Sequence, residues 1–249
     1  LIEVLIAMVV SLIIMGGAYM FFNSQQRQTT IQTNVSDAQQ TLRAAMDFMS
    51  RDVRMAGYNP DPNSTATFGI NNISDINGMS AITFTWDNPT GPPTSSYYLS
   101  TIDGSAVAPN SRALMYNDGT GAQPMAGYIV ALGLAYAYDD SDADAELEID
   151  TTNGDTIWFY DAGDDDLWDS LTINQNAGTN TTSATGINID TKDIRAVHIW
   201  MLAQSQAPDQ NYTDTNTYVV GPHIVTPNNN FRHRLLERTI LCRNMGLSL

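Results

Sequence analysis

The hydrophobic pattern of this chain changes character twice. Residues 1–22, LIEVLIAMVVSLIIMGGAYMFF, are apolar almost without interruption, and Glu3 is the single charge. As a helix, such a run rises ~33 Å, enough to cross a bilayer core of ~30 Å. From residue 23 the apolar positions thin to Ile31, Val35, Ala38, Leu42, Ala45, Met49 and Val53, with gaps of 4, 3, 4, 3, 4 and 4. That spacing is a one-sided helical stripe. Gln, Thr, Asn, Asp and Arg hold the other face. Residues 23–56 contain no Pro, and Gly57 followed by Pro60 supplies the stop. The pattern predicts one helix of about 56 residues and about 84 Å, apolar all round over 1–22 and amphipathic over 23–57. The stripe suits either a coiled-coil seam or packing onto a following domain. Its short extent and the large remainder of the chain favour the second.

Residues 58–249 switch to short β-branched and aromatic runs bounded by Gly, Pro, Asn and Asp, at 81–86, 96–102, 112–116, 128–138, 156–160, 194–202, 217–220 and 234–241. The run at 128–138 is rich in Ala, but Gly127 and Gly133 interrupt it, so it is read as a strand. In the last run successive side chains alternate, as in an antiparallel strand. Long polar connections separate the runs. The expected fold class is α+β: one long N-terminal helix whose amphipathic half packs on an antiparallel β domain.

Composition narrows the function classes. The 249 residues carry 27 acids against 11 Lys plus Arg, a formal net charge of -16. A nucleic-acid binder needs a basic footprint, so no nucleic-acid partner is predicted. The single Cys242 excludes an intrachain disulfide, Cys-based zinc, iron–sulfur clusters and c-type haem attachment. Three dispersed histidines, His198, His223 and His233, offer little for a metal centre, and His198 in an apolar strand reads as a satisfied structural residue. Nucleophile-elbow, P-loop, dinucleotide and zinc signatures are all missing, so no enzyme is predicted. Trp86, Tyr97, Tyr98, Trp158 and Trp168 look exposed enough to stack on sugars, although such residues also build cores and interfaces.

Glu3 is the odd residue of the N-terminal run. A carboxylate in the apolar part of a spanning helix costs roughly 2.5–3.5 kcal/mol on insertion scales. A partner cation removes that cost. The helix axis carries the chain's own amine away from Glu3, so the amine of a neighbouring chain is the better candidate. Gly16 and Gly17 each weaken the helix by ~1 kcal/mol relative to Ala. They mark a packing notch or a place where the helix opens. A secretory signal peptide would show a basic n-region and a small-residue cleavage site. Neither is present, and the apolar start at residue 1 reads as a segment already trimmed upstream.

These residues resemble the mature N-terminus of type IV pilins and type II secretion pseudopilins, which begin with a methylated Phe followed by Thr, Leu, Ile and Glu. By that resemblance Leu1, Ile2 and Glu3 are the Leu-Ile-Glu of the motif, and the chain starts two residues inside the mature protein. Residues 42–58, LRAAMDFMSRDVRMAGY, look like the end of the long helix in PilW-type minor pilins. Residues 231–246, FRHRLLERTILCRNMG, look like the Arg-rich final strand of the same group. Lacking the C-terminal disulfide of many major pilins, the chain is most similar to a minor pilin; an atypical major pilin and a pseudopilin are the neighbouring readings. The resemblance implies a filament subunit that waits in the bacterial inner membrane and then enters a periplasmic or extracellular filament. Its implied partners are other pilin subunits and the pilus assembly machinery. The implied assembly surface is Leu1, Ile2, Glu3, Leu5, Gly16 and Gly17, with Glu3 neutralised by a neighbour's N-terminus. A filament-tip adhesin is the reading from another class.

Charge is concentrated. Residues 139–169 hold 13 acids and no Lys, Arg or His. Asp140, Asp142 and Asp144 alternate like the opening of a calcium loop, but Ala145 stands where a Gly is expected and Thr151 where a bidentate Glu is expected. Asp161, Asp164 and Asp166, with the Gly163 turn, form a second incomplete set. Two readings stay open: a solvated acidic face, or a Ca²⁺ site among Asp140, Asp142, Asp144, Asp161, Asp164 and Asp166. No other cofactor is expected. The calcium reading requires that calorimetry on the protein show saturable Ca²⁺ uptake at about millimolar concentrations or below. A flat titration leaves the solvated face.

Overall fold

The computed structural model of the chain describes residues 2–60, 68–87, 94–101, 111–139, 147–149, 155–161, 168–187 and 189–245. Helix α1 runs Ile2–Met55 without a break, a rise of about 81 Å. Among the described residues twelve strands follow: β1 (Gly69–Ile76), β2 (Met79–Thr85), β3 (Thr94–Leu99), β4 (Arg112–Asn117), β5 (Ala122–Tyr138), β6 (Trp158–Asp161), β7 (Trp168–Asn174), β8 (Thr179–Ile187), β9 (Ile194–Gln204), β10 (Tyr218–Val220), β11 (His223–Val225) and β12 (His233–Leu241). Every strand pairing is antiparallel. The fold is therefore α+β, one long N-terminal helix packed on an antiparallel sheet.

The 17-residue strand β5 organises the sheet. Its first half pairs with β4, from Asn117↔Ala122 to Arg112↔Ile129. Its second half pairs with β9, from Ile129↔Ala203 to Tyr138↔Ile194, and Tyr136 also meets Phe159 of β6. One strand thus carries the β1–β4 meander, the β6–β8 wing and the β9–β12 pair. The handover falls at a bulge where Tyr128 takes φ 61. A bulge adds a residue and local twist, which lets one strand change partners.

α1 packs on β5, β9 and β12. Leu42, Ala45, Met46, Met49, Val53 and Ala56 are buried there against Leu132, Leu134, Val197, Ile199, Met201 and Ile240. Fully burying a side chain of Leu or Met size stabilises by ~1.5–3 kcal/mol, so the helix's C-terminal half is firmly fixed. The lower part of the sequence stripe supplies this seam, joined by Met46 and Ser50. Ile31 and Val35, above it, are only half-buried.

The opposite face of β5 and β9 is covered as well. Ala131, Ala135, Trp200 and Leu202 are buried with Leu171 of β7 and Val220 of β10. The β10–β11 hairpin turns at Gly221, φ 62, and its backbone lies directly on Gly133, where an added Cβ would fall inside the Val220 carbonyl. The glycine that interrupts the 128–138 run is thus a site of close backbone approach.

Several expectations change. Strands β1, β7, β8 and β11 lie in stretches that read as connections, the first three because they are rich in Asn, Ser, Thr and Asp and β11 because it is only three residues long. Asn77 and Gly78, at φ 56 and 71, form the two-residue turn between β1 and β2, an Asn-Gly signal that marks a hairpin. Of the five aromatic residues read as exposed, Tyr97 and Trp168 are buried in the main core. Trp86 is half-buried and stacks on Phe84 at 5.6 Å between ring centres. Cys242 is buried, and burial pushes its thiol up to about 12, so it is a core residue without thiolate chemistry.

Gly133→Ala is expected to cost about 2–3 kcal/mol by overpacking. Gly127→Ala, where an added Cβ meets nothing within 4 Å, should change stability by less than about 0.5 kcal/mol. Urea unfolding of the two variants checks the contrast, and equal losses would contradict the packing described.

Candidate assembly site and its anchorage

The N-terminal half of α1 has no protein cover. Fifteen large apolar side chains between Ile2 and Phe22 are exposed, among them Leu12 at 69% and Phe22 at 66%. Among the described residues, α1 is the one helix long and apolar enough to cross a membrane, by length and composition. Each such side chain forgoes ~1.5–3 kcal/mol while it faces water. The segment therefore requires lipid or other protein around it.

Glu3 sits in the first turn of this segment, where the positive end of the helix dipole favours a carboxylate. Ile2 and Leu5 are exposed beside it; Leu1 lies outside the described residues. Gly16 and Gly17 stay helical, and an added Cβ at either meets nothing within 4 Å. The helix does not open there.

Polar ties fix the helix to the head from Arg27 onward. Arg27 Nη2 donates to Asp209 Oδ1 at 2.8 Å, while Arg232 donates to Asp209 Oδ2 through Nη2 at 2.8 Å and Nε at 3.2 Å. The Arg232 guanidinium also lies 4.2 Å over the Tyr212 ring. Hydrogen bonds from Arg232 hold the Asp209 carboxyl below its usual range against the opposing effect of burial, and Arg27 and the Asn211 amide add to this. Further down, Arg238 Nη1 donates to Asp47 at 2.6 Å, Tyr97 OH to Asp52 at 2.6 Å, Asn244 Nδ2 to the Arg54 carbonyl at 2.9 Å, and the Gly57 amide to the Thr85 carbonyl at 3.0 Å. The 25 residues before Arg27 extend about 37 Å beyond the last tie.

The loop presenting Asp209 rests on a buried network. Asp214 and His233 are both inaccessible, and His233 Nδ1 lies 2.8 Å from Asp214 Oδ2. Asp214 also accepts from Tyr218 OH at 2.8 Å and from the Asn216 amide at 3.1 Å. Burial alone would raise Asp214; bonds from Tyr218, His233 and the Asn216 amide outweigh it and hold the carboxyl low. Burial pulls His233 down, partly offset by Asp214. The buried His233 Nε2 has no acceptor, so a second proton there would be uncompensated. Sequence reading passed over this loop because Asp209, Asp214 and their cations are scattered along the chain.

Asp140, Asp142, Asp144, Asp164 and Asp166 lie outside the described residues, as does the side chain of Asp161. Among the described residues no three His, Cys, Asp or Glu converge on a point that would hold a metal. The first acid of the block, Asp139, is buried 3.5 Å from Arg195 Nε, a cation that arrives from β9.

No family model and no curated protein matches this sequence. Among solved structures the chain is similar to a type IV-like pilin from Thermus thermophilus, with 12% identity, 83% of this chain and 97% of that chain covered, and a TM-score of 0.42.

The histidine burial has a measurable consequence. His233, like His198 and His223, has its folded pKa held below 6.5 by burial. The unfolded chain therefore takes up protons first, and stability falls as pH drops below about 6.5, by up to about 1.4 kcal/mol per pH unit per histidine. Asp209 and Asp214, lowered from 3.8, add a further loss in stronger acid. Urea unfolding between about pH 7 and pH 5 is expected to show this slope, reduced by one histidine's share in His233→Gln. A flat profile would contradict it.

Proposed function

We propose that this chain is a structural subunit of a type IV pilus-like filament, of the minor-pilin kind. The observation carrying the reading is a bare apolar helix half with one carboxylate in its first turn, continuous with a half locked to a folded head. The helix first rests in the inner membrane. It then moves into a helical filament core, where lipid contacts are exchanged for contacts with neighbouring helices.

Glu3 directs that exchange. In lipid an unpaired carboxylate is unfavourable, by roughly 2.5–3.5 kcal/mol at the centre of a spanning helix and by less near its start. Beside a neighbour's N-terminal amine it becomes half of an ion pair, so assembly relieves what insertion imposed. The Gly16–Gly17 notch lets a neighbouring backbone approach closely, as small residues do in apolar helix pairs. Leu5 and the surrounding aliphatic side chains provide the packing. The head travels as a rigid attachment because its ties begin at Arg27, outside the apolar run.

Glu3→Ala and Glu3→Lys are expected to leave the head folded and the protein in the membrane fraction while reducing incorporation into sheared filaments to background. Immunoblotting of filament and membrane fractions reads both. Incorporation at the unsubstituted level would overturn the assigned role.

A further inference from the structure

A cleft of about 780 Å³ lies between the β6–β8 wing and the β9–β12 pair, and the filament reading makes no use of it. Ligand pockets commonly hold 300–1,000 Å³, so the space is adequate for two or three sugar rings. Its walls include Trp158, Ser170, Thr172, His198, Trp200 and Glu237.

The aromatic part is ordered. The His198 ring lies flat on Trp200, with centres 3.8 Å apart and planes 3° apart, and Trp158 meets His198 edge-on at 5.1 Å. Trp200 is 3% exposed, with His198 on one side and Gly221 closely packed against its ring. Trp158 is half-buried, lines the cleft and, among the described residues, has no stacked ring partner. It is the available platform.

Polar groups surround that platform. Glu237, half-exposed on β12, accepts from Trp200 Nε1 at 2.8 Å. His198 Nδ1 is 3.2 Å from Thr239 Oγ1, but its buried Nε2 has no hydrogen-bond partner. The expectation of a fully satisfied His198 therefore holds at one nitrogen only. Nε2 stands 3.9 Å from Glu237 Oε2 and is itself closed to solvent, so Glu237 is the polar group that this wall offers a ligand.

The lining includes two carboxylates, Asp155 and Glu237, and no Lys or Arg, which disfavours an anion. A purely apolar ligand would desolvate Glu237 without compensation. A sugar ring presents an apolar C–H face and a rim of hydroxyls, matching both halves of the site. We propose that this cleft binds a neutral oligosaccharide, with a pyranose ring packed on Trp158 and its hydroxyls donating to Glu237. The site belongs to the head and does not depend on the filament reading.

The test uses the full chain in micelles of a detergent without a sugar headgroup. Cellohexaose, chitohexaose and maltohexaose are titrated separately, with tryptophan fluorescence and saturation-transfer NMR as readouts. At least one is expected to bind saturably, with transfer to ring C–H protons. Trp158→Ala should weaken that binding about tenfold or more. Glu237→Gln, at a half-exposed position that leaves the fold intact, should weaken it several-fold, about as expected for one charge-assisted hydrogen bond. Three results would each overturn the proposal: no saturable binding of any of the three sugars, binding unchanged in both variants, or Trp158-dependent binding of tetramethylammonium in place of sugar. Filament incorporation is not the readout, so the outcome is separable from the Glu3 test.

Discussion

One helix cannot satisfy the same environment at both ends of this molecule. Over residues 2–22 its surface is aliphatic and aromatic on all sides; from Ala38 to Ala56 it buries one stripe against a sheet and shows water the other. Water is tolerable for the second half and strongly unfavourable for the first. Everything else follows from joining the two without a break. The head must grip the helix low enough to leave the apolar half clear, and firmly enough that the join does not become a hinge.

The sheet meets this requirement through β5 and β9. β9 and the second half of β5 are buried on both faces, by α1 on one side and by the β10–β11 hairpin and β7 on the other. A strand buried this way has little freedom to slip in register. The helix seat is thus held from behind, and the close contact at Gly133 belongs to the same arrangement. The loops around Asp209 and Asp214 extend the grip upward by mainly polar means, because near Arg27 the helix offers the head only the half-buried Ile31.

Much of this was legible in the sequence. The spacing from Ala38 to Val53 located the helix face that is buried, and Gly57 with Pro60 located its end within two residues of Met55. All eight runs read as strands, from 81–86 to 234–241, overlap strands of the fold, because clusters of β-branched and aromatic residues between turn residues are a local signal. The legibility failed where strands are built of polar residues. Thr179–Ile187 pairs with β7 along its length, yet nothing in Thr-Asn-Thr-Thr-Ser-Ala-Thr distinguishes it from a loop, since backbone pairing and not side-chain burial holds it. Glu3 and the bare segment were readable because an isolated charge in an apolar run is a local signal. The Asp209 clamp and the Trp158 cleft were not, because each assembles residues tens to hundreds of positions apart. Tyr97 and Trp168 were misplaced for the same reason: whether an aromatic is covered depends on what the topology lays over it.

The attachment between helix and head has a direction. Its ties at Arg27, Asp47, Asp52, Arg54 and Gly57, and the apolar seam among them, are distributed along the helix axis. A pull along that axis loads them together, in shear, instead of one after another as in peeling. Contacts loaded in parallel share the force and fail cooperatively. A load applied at right angles would reach Arg27–Asp209 before the apolar seam. The same joint is therefore strongest against a lengthwise pull, the direction in which every tie and the apolar seam share the load.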